Sequence, residues 1–178
     1  MRRNPVRRTA LVDAAIDVLA DVGARGLTFR AVDRRAEVPA GTASNYFANR
    51  DDLFAQLGGR IFERLGAATV PAGADPTPRL RHLVDHVAGY REGYLAMLEL
   101  RLEATRRPEL RAKLTDTIRA DVAANVAAHE RTGLPGDATT VILLYLAMNW
   151  LVVERLTLPD LFPDAGALVD AAVERILR

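Results

Sequence analysis

The sequence predicts an all-α fold, and three observations carry that prediction. Apolar residues recur three and four apart along most of the chain, the signature of amphipathic helices. Helix-starting residues (a hydroxyl, Asp, Asn or Pro) stand before the periodic segments, and Gly or Pro stands after most of them. No segment alternates apolar and polar residues as a half-buried strand does. With 178 residues, 49% of them hydrophobic, the chain is globular and long enough for one sizeable core or a small domain fused to a larger one.

In chain order, Val12, Ala15, Ile16, Leu19 and Val22 make the inner face of a first helix that Gly23 stops. Thr28 is a hydroxyl N-cap with Leu27 before it, and Phe29, Val32 and Ala36 form the inward face of a short second helix. Glu37-Val38-Pro39 breaks that helix, and residues 40–46 are just long enough for two turns of a third. Asn49 caps a fourth helix from Arg50, with Leu53, Leu57, Ile61 and Leu65 four apart. Residues 66–78 hold three prolines and read as a loop; Thr77 and Pro78 read as the N-cap and first position of the next helix. A proline-free run to Arg107 follows, with bends expected at Gly89 and Gly93. Pro108 opens a helix with Leu110, Leu114, Ile118, Val122 and Val126 inward. Asp137 caps an almost wholly apolar helix ending before Pro159, and Asp164 caps the last one, with Leu168, Ala172, Val173 and Ile176 in register.

The chemistry-bearing segment is residues 28–50. Two short helices joined by a tight turn, the second crowded with Thr42, Ser44, Asn45 and Tyr46, have the form in which a helix-turn-helix enters a major groove. Charge agrees with that reading. Residues 1–50 carry nine arginines against five acids, whereas the remaining residues carry 15 basic and 18 acidic groups. Positive charge therefore collects where phosphates would be met, as counterion release favours.

The first 55 or so residues resemble the DNA-binding domain of the TetR family of transcriptional regulators. The resemblance rests on the run from Ala15 to Gly23, then LTFRAV, then VPAGTASNYFANRDDLF, with Gly41-Thr42, Tyr46-Phe47 and residues 49–53 in the family's order and spacing. It implies a three-helix DNA-binding domain at residues 1–49. It also implies a helical effector-binding and dimerisation domain at 50–178, with 50–66 as a linking helix. It implies further an omega-shaped homodimer in which the last two long helices of each subunit form a four-helix bundle. By the same resemblance Thr42 meets a phosphate and Tyr46 and Arg50 clamp the DNA backbone. Arg30, Ala40, Gly41 and Ser44 approach base edges of a double-stranded operator, and Thr28 and Asn45 lie on the same face. Two departures stand out: Glu37 occupies a turn position where many members have glycine, and Ala43, Ser44 and Asn45 replace larger aromatic residues.

Enzymatic chemistry is not expected. There is no cysteine, Ser44 is the only serine and Lys113 the only lysine. His82 and His86 share a helix face but lack an HExxH arrangement, so no metal site and no cofactor are expected. Nor does a membrane segment follow, since the apolar stretch 139–153 is shorter than the roughly 20 residues a span needs. The expectation is a cytoplasmic protein.

On the helix from residue 89 to 105, Leu95, Leu98 and Leu102 read as the core stripe and Glu92, Glu99, Glu103 and Arg106 as a solvated one. Between them run Tyr90, Tyr94, Met97 and Arg101, which with Tyr145 and Asn149 suit a mostly apolar ligand cavity. The whole reading is a repressor released from a palindromic operator by a largely apolar small molecule with one anionic group facing Arg101. The alternatives are a helical ligand-binding protein or enzyme with a vestigial DNA-binding domain, or a regulator without an effector.

Overall fold

The structure is a computed structural model that describes residues 4–66, 76–131 and 133–176. Arg2 and Arg3 of the basic arm, and residues 67–75 of the expected loop, lie outside the described residues. Among the described residues all regular structure is helical: α1 (Pro5–Gly26), α2 (Phe29–Arg35), α3 (Thr42–Tyr46), α4 (Arg50–Gly66), α5 (Pro76–Gly89), α6 (Arg91–Ala104), α7 (Pro108–Glu130), α8 (Ala138–Thr157) and α9 (Ala165–Ile176). The chain forms two compact units, one of residues 1–67 with 90–117, the other of 68–89 with 118–178. Contacts thus group α6 with α1–α4 and do not divide the chain at residue 49.

The first unit is built on α1. Asn4 caps it by accepting from the amides of Val6 and Arg7, with Pro5 at the first position, where a missing N–H costs nothing. Leu11, Ala15, Ile16 and Leu19 are fully buried, and α2, α4 and α6 all pack on this helix. Val22, expected inside, is 60% exposed. The reason is local. Gly23 adopts φ 68° and ψ −179°, so the helix kinks there and the last turn no longer continues the inner stripe. The amide of Ala24, freed by the kink, donates to Glu99 Oε2 of α6 at 3.1 Å. Glu99 is therefore a structural cap and not part of a solvated stripe.

In α6 the buried face also differs from the expected one. Tyr94, Ala96, Met97, Leu100 and Ala104 face the core, while Leu95 and Leu98 are half-buried and Leu102 is 57% exposed. Leucines and other apolar residues surround this helix, so spacing alone does not choose its inner face; packing on α1 does. Glu103, expected in solvent, lies between Arg106 and Arg107 at 3.0 and 2.9 Å. The break expected near Gly89 occurs there, between α5 and α6, but Gly93 is buried inside regular helix.

In the second unit α5, α8 and α9 pack pairwise. Its buried residues are Val84, Val141, Leu144, Met148, Leu151, Val152, Val169 and Val173. Arg81 pairs with Asp170, and Arg155 Nη1 meets Asp85 Oδ1 at 2.6 Å, which ties α8 to α5. Helix α8 runs five residues beyond the apolar stretch, from a capping box at Asp137 and Thr140. At 20 residues it is long and apolar enough to cross a membrane by length and composition, which the shorter sequence stretch did not suggest. On one side Ile142, Leu143, Leu146 and Trp150 are exposed, and Leu168 of α9 is exposed as well.

Candidate nucleic-acid interface

The helix-turn-helix is held by a buried carboxylate. Asp33, on α2, is 2% exposed. Its Oδ2 accepts from the amide of Gly41 and its Oδ1 from the amide of Ala43, both at 2.7 Å. These are first-turn amides of α3, which have no partner inside their own helix. The N-cap position of α3 is Gly41 at φ 89°, a conformation that suits glycine and offers no side chain to cap with. Asp33 does that work from the neighbouring helix, and each bond to an ionised group contributes about 1.5–3 kcal/mol. The sequence reading counted Asp33 only as a charge. A signal was present, because Asp33 lies four residues after Phe29 and beside Val32, on the inward face of an otherwise basic helix.

The turn between α2 and α3 carries a left-handed residue. Glu37 has φ 54°, the one positive φ at a non-glycine among the described residues. The family resemblance implies glycine here in many members, and the left-handed backbone is a physical reason for it. The third helix is shorter than expected: it starts at Thr42, because Ala40 and Gly41 belong to the turn. Ahead of α2, Thr28 Oγ1 accepts from the amide of Ala31 at 3.1 Å, the expected cap. Leu27 and Val32 are both buried in the same core.

Thr28, Arg30, Ala40, Gly41, Ser44 and Asn45 are exposed; Thr42, Tyr46 and Arg50 are half-buried. Ser44 Oγ donates to the carbonyl of Gly41 at 2.8 Å, and Thr42 Oγ1 to that of Pro39 at 2.5 Å. Both hydroxyls thus donate to the backbone, and each would have to turn outward to donate to a phosphate or base. Phe29 stacks on Phe47 with centroids 6.4 Å apart, and Arg8 lies over the Phe47 ring. At the start of α4, Asn49 Oδ1 accepts from the amide of Asp52 and Asp52 Oδ2 from that of Ala48, a reciprocal cap. Arg50 lies over the Phe54 ring with its Nε buried and without a hydrogen-bond partner.

The residues expected to line a ligand cavity fall in both units. In the first, Met97 is 4% exposed and belongs to the core cluster with α1 and α4 residues. Tyr94 is buried, and Tyr90 lies under Arg64, whose guanidinium is 4.0 Å from the ring centroid. Arg101 is exposed, so the cost of desolvating a guanidinium, which had assigned it an anionic partner, does not arise. In the second unit Asn149 Nδ2 donates to the carbonyl of Tyr145 at 2.8 Å, one turn back on α8. Its polar group is satisfied within the helix. His86 Nε2 on α5 and Glu154 Oε2 on α8 are different. Both are buried without a partner, and neither was singled out as a pocket residue from the sequence.

Comparison with known proteins agrees with this architecture. The family model described as "Bacterial regulatory proteins, tetR family" matches residues 11–57, and that described as "Tetracyclin repressor-like, C-terminal domain" matches residues 72–178. The HTH-type transcriptional regulator BetI of Burkholderia ambifaria is 35% identical over 83 residues, 44% of this chain and 43% of that protein. The alignment thus spans less than half the length of this curated relative. Among solved structures, the multidrug binding protein EbrR complexed with imidazole is 30% identical with a TM-score of 0.68, covering 98% of this chain and 97% of that one. Its complex with proflavin is 32% identical, with a TM-score of 0.64 and coverages of 96% and 99%. A transcriptional regulator of Rhodococcus sp. Rha1 superposes with a TM-score of 0.76 over 96% of this chain and 95% of its own at 22% identity, a likeness of fold. With both its helix-turn-helix and its helical remainder matched, the chain belongs to the TetR family of bacterial regulatory proteins.

Proposed function

We propose that the protein is a homodimeric, DNA-binding transcriptional repressor, released from a palindromic operator by a small molecule and acting in the cytoplasm. The observation that carries the DNA-binding reading is Asp33, a buried carboxylate that holds the start of the short helix α3, on which Ser44 and Asn45 are exposed, as is Arg30 on α2. A rigid, exposed, basic helix-turn-helix is the geometry that base readout requires. In this reading Thr42, Tyr46 and Arg50 hold phosphates, while Arg30, Ala40, Gly41, Ser44 and Asn45 approach base edges and Thr28 lies at their border.

Dimerisation is supported by the exposed apolar side of α8. A five-residue recognition helix reads too few bases alone, and two copies would present them to successive major grooves about 34–36 Å apart. For the effector, the exposed Arg101 argues against an anionic partner there. Glu154 and His86 support another chemistry. Each is next in sequence to a member of the Arg155–Asp85 pair, which joins α8 to α5 in the second unit. One carboxylate oxygen and one imidazole nitrogen, buried without partners among the described residues, favour a largely apolar ligand bearing a cation or hydrogen-bond donors. EbrR, solved with proflavin and with ethidium, binds such planar aromatic cations. Tyr145 and Asn149 on α8 remain candidate walls.

A gel shift with the DNA flanking the protein's own gene tests the reading. One retarded species with a dimer's stoichiometry is expected, weakened by proflavin. Arg50→Ala should lower affinity on every site and reduce the salt slope by about one unit. Ser44→Ala or Arg30→Ala should instead change which sites are selected. Specific binding by a stable monomer, or unchanged site preference in the latter pair, contradicts the proposal.

A further inference from the structure

The first unit contains a cavity of about 580 Å³ where the kinked end of α1, the start of α4 and the end of α6 meet. Its walls combine exposed apolar side chains with arginines. Val22 and Leu102 line it, and both are exposed large apolar residues. Four guanidiniums line it too, those of Arg25, Arg50, Arg106 and Arg107.

The charges are not equally committed. Arg106 and Arg107 are paired with Glu103, and Arg107 also with Asp51. Glu99, the other acid of the lining, accepts from the amide of Ala24. Among the described residues Arg25 has no ion-pair or hydrogen-bond partner, and the Nε of Arg50 is buried without one. A buried guanidinium N–H without an acceptor is costly, and a carboxylate offers the planar pair of acceptors that matches it. The bare apolar side chains alongside leave room for a body that water does not need to solvate.

We propose that this cavity binds a small organic carboxylate, its charged group held by Arg25 and Arg50 and its apolar body resting on Val22 and Leu102. The site shares no residue with Glu154 and His86, which belong to the second unit, and takes the opposite charge. Arg50 is also the residue proposed to clamp DNA, so an occupied cavity draws that side chain away from phosphate. This consequence rests on the regulator reading, whereas binding itself does not.

Calorimetric titration of the full-length protein, without DNA, tests the site with benzoate and octanoate as probes and methyl benzoate and inorganic phosphate as comparisons. One carboxylate per chain is expected, with the neutral ester and phosphate at least about tenfold weaker. Arg25→Gln should weaken benzoate about tenfold and Leu102→Gln by a smaller factor; both replace exposed side chains, and retained circular dichroism checks their folding. The proposal is overturned if neither probe binds, if phosphate or the ester binds equally well, or if both variants bind as the parent does. Benzoate binding with no DNA binding under any condition would support the site and remove the regulator reading alone.

Discussion

The two units of this chain close their cores to different degrees. In the first, Leu11, Ile16, Leu19, Phe54, Leu57 and Leu100 are wholly buried, and short-range caps at Asn4, Thr28 and Asn49 satisfy helix ends. In the second, most buried side chains keep a few per cent of their surface, while Ile142, Leu143, Leu146, Trp150, Leu158, Leu161, Phe162 and Leu168 are exposed. The first unit encloses the larger core, with a few apolar residues such as Val22 and Leu102 left exposed; the second leaves an exposed apolar side along α8. The difference teaches that a helix apolar all round is specified for a partner as much as for a core.

The sharpest way to break this comparison is to charge the uncovered side. Leu146→Glu should turn a dimer into a monomer, because a two-fold interface would bury two carboxylates at once. A loss of about 4 kcal/mol, near a thousandfold in dissociation constant, is expected by sedimentation, with the fold retained. A variant that remains dimeric refutes this assignment of the interface. The counterpart in the first unit is Asp33→Ala, which leaves two first-turn amides of α3 without their acceptor. It should cost about 3 kcal/mol in urea denaturation and abolish operator binding. An unchanged midpoint would mean that the turn holds itself.

Smaller effects sharpen the contrast. Glu37→Gly removes left-handed strain of about 1–2 kcal/mol against a glycine entropy cost of about 0.5–1. A stability gain of about 0.5–1 kcal/mol is expected in thermal unfolding, and a loss would show that Glu37 makes a compensating contact. The smallest effect is a pH dependence. Hydrogen bonding from Arg107 holds the Glu103 carboxyl below its usual range. Its contribution is therefore complete above the unfolded-state value of about 4.3 and disappears as the pH falls through the lower folded-state value. Urea midpoints of the parent should fall more than those of Glu103→Gln over that acid window; parallel curves would place the acid sensitivity elsewhere.

Much of this was legible because it is local. Thr28 as a cap, Arg50 as the start of α4, Pro108 as the start of α7 and the capping residue Asp137 are read from a few neighbours each. What escaped depends on residues distant in sequence. Nothing near Glu99 announces that it serves an amide 75 residues away, nor does Val22 reveal that a kink turns it outward. The inner face of α6 was misread because its apolar residues surround the helix, and only α1 selects among them. Arg101 looked like a pocket residue for the same reason. His86 and Glu154 were passed over because a buried, unpartnered atom is a property of packing, invisible in spacing.

The discontinuous composition of the first unit also bears on how the protein is made. During synthesis α1 to α4 leave the ribosome first, but Ala96, Met97, Leu100, Leu110 and Leu114, which complete their core, come only after residues 68–89 have been added. At roughly 5–20 residues per second that interval lasts a few seconds. Throughout it the nascent helices have no lid over Leu11, Ile16 and Leu57, and they must wait as a loose, chaperone-accessible assembly. A gene cut after α4 would yield a recognition motif without its keel, so nature and engineers alike would need to transplant residues 90–117 with it.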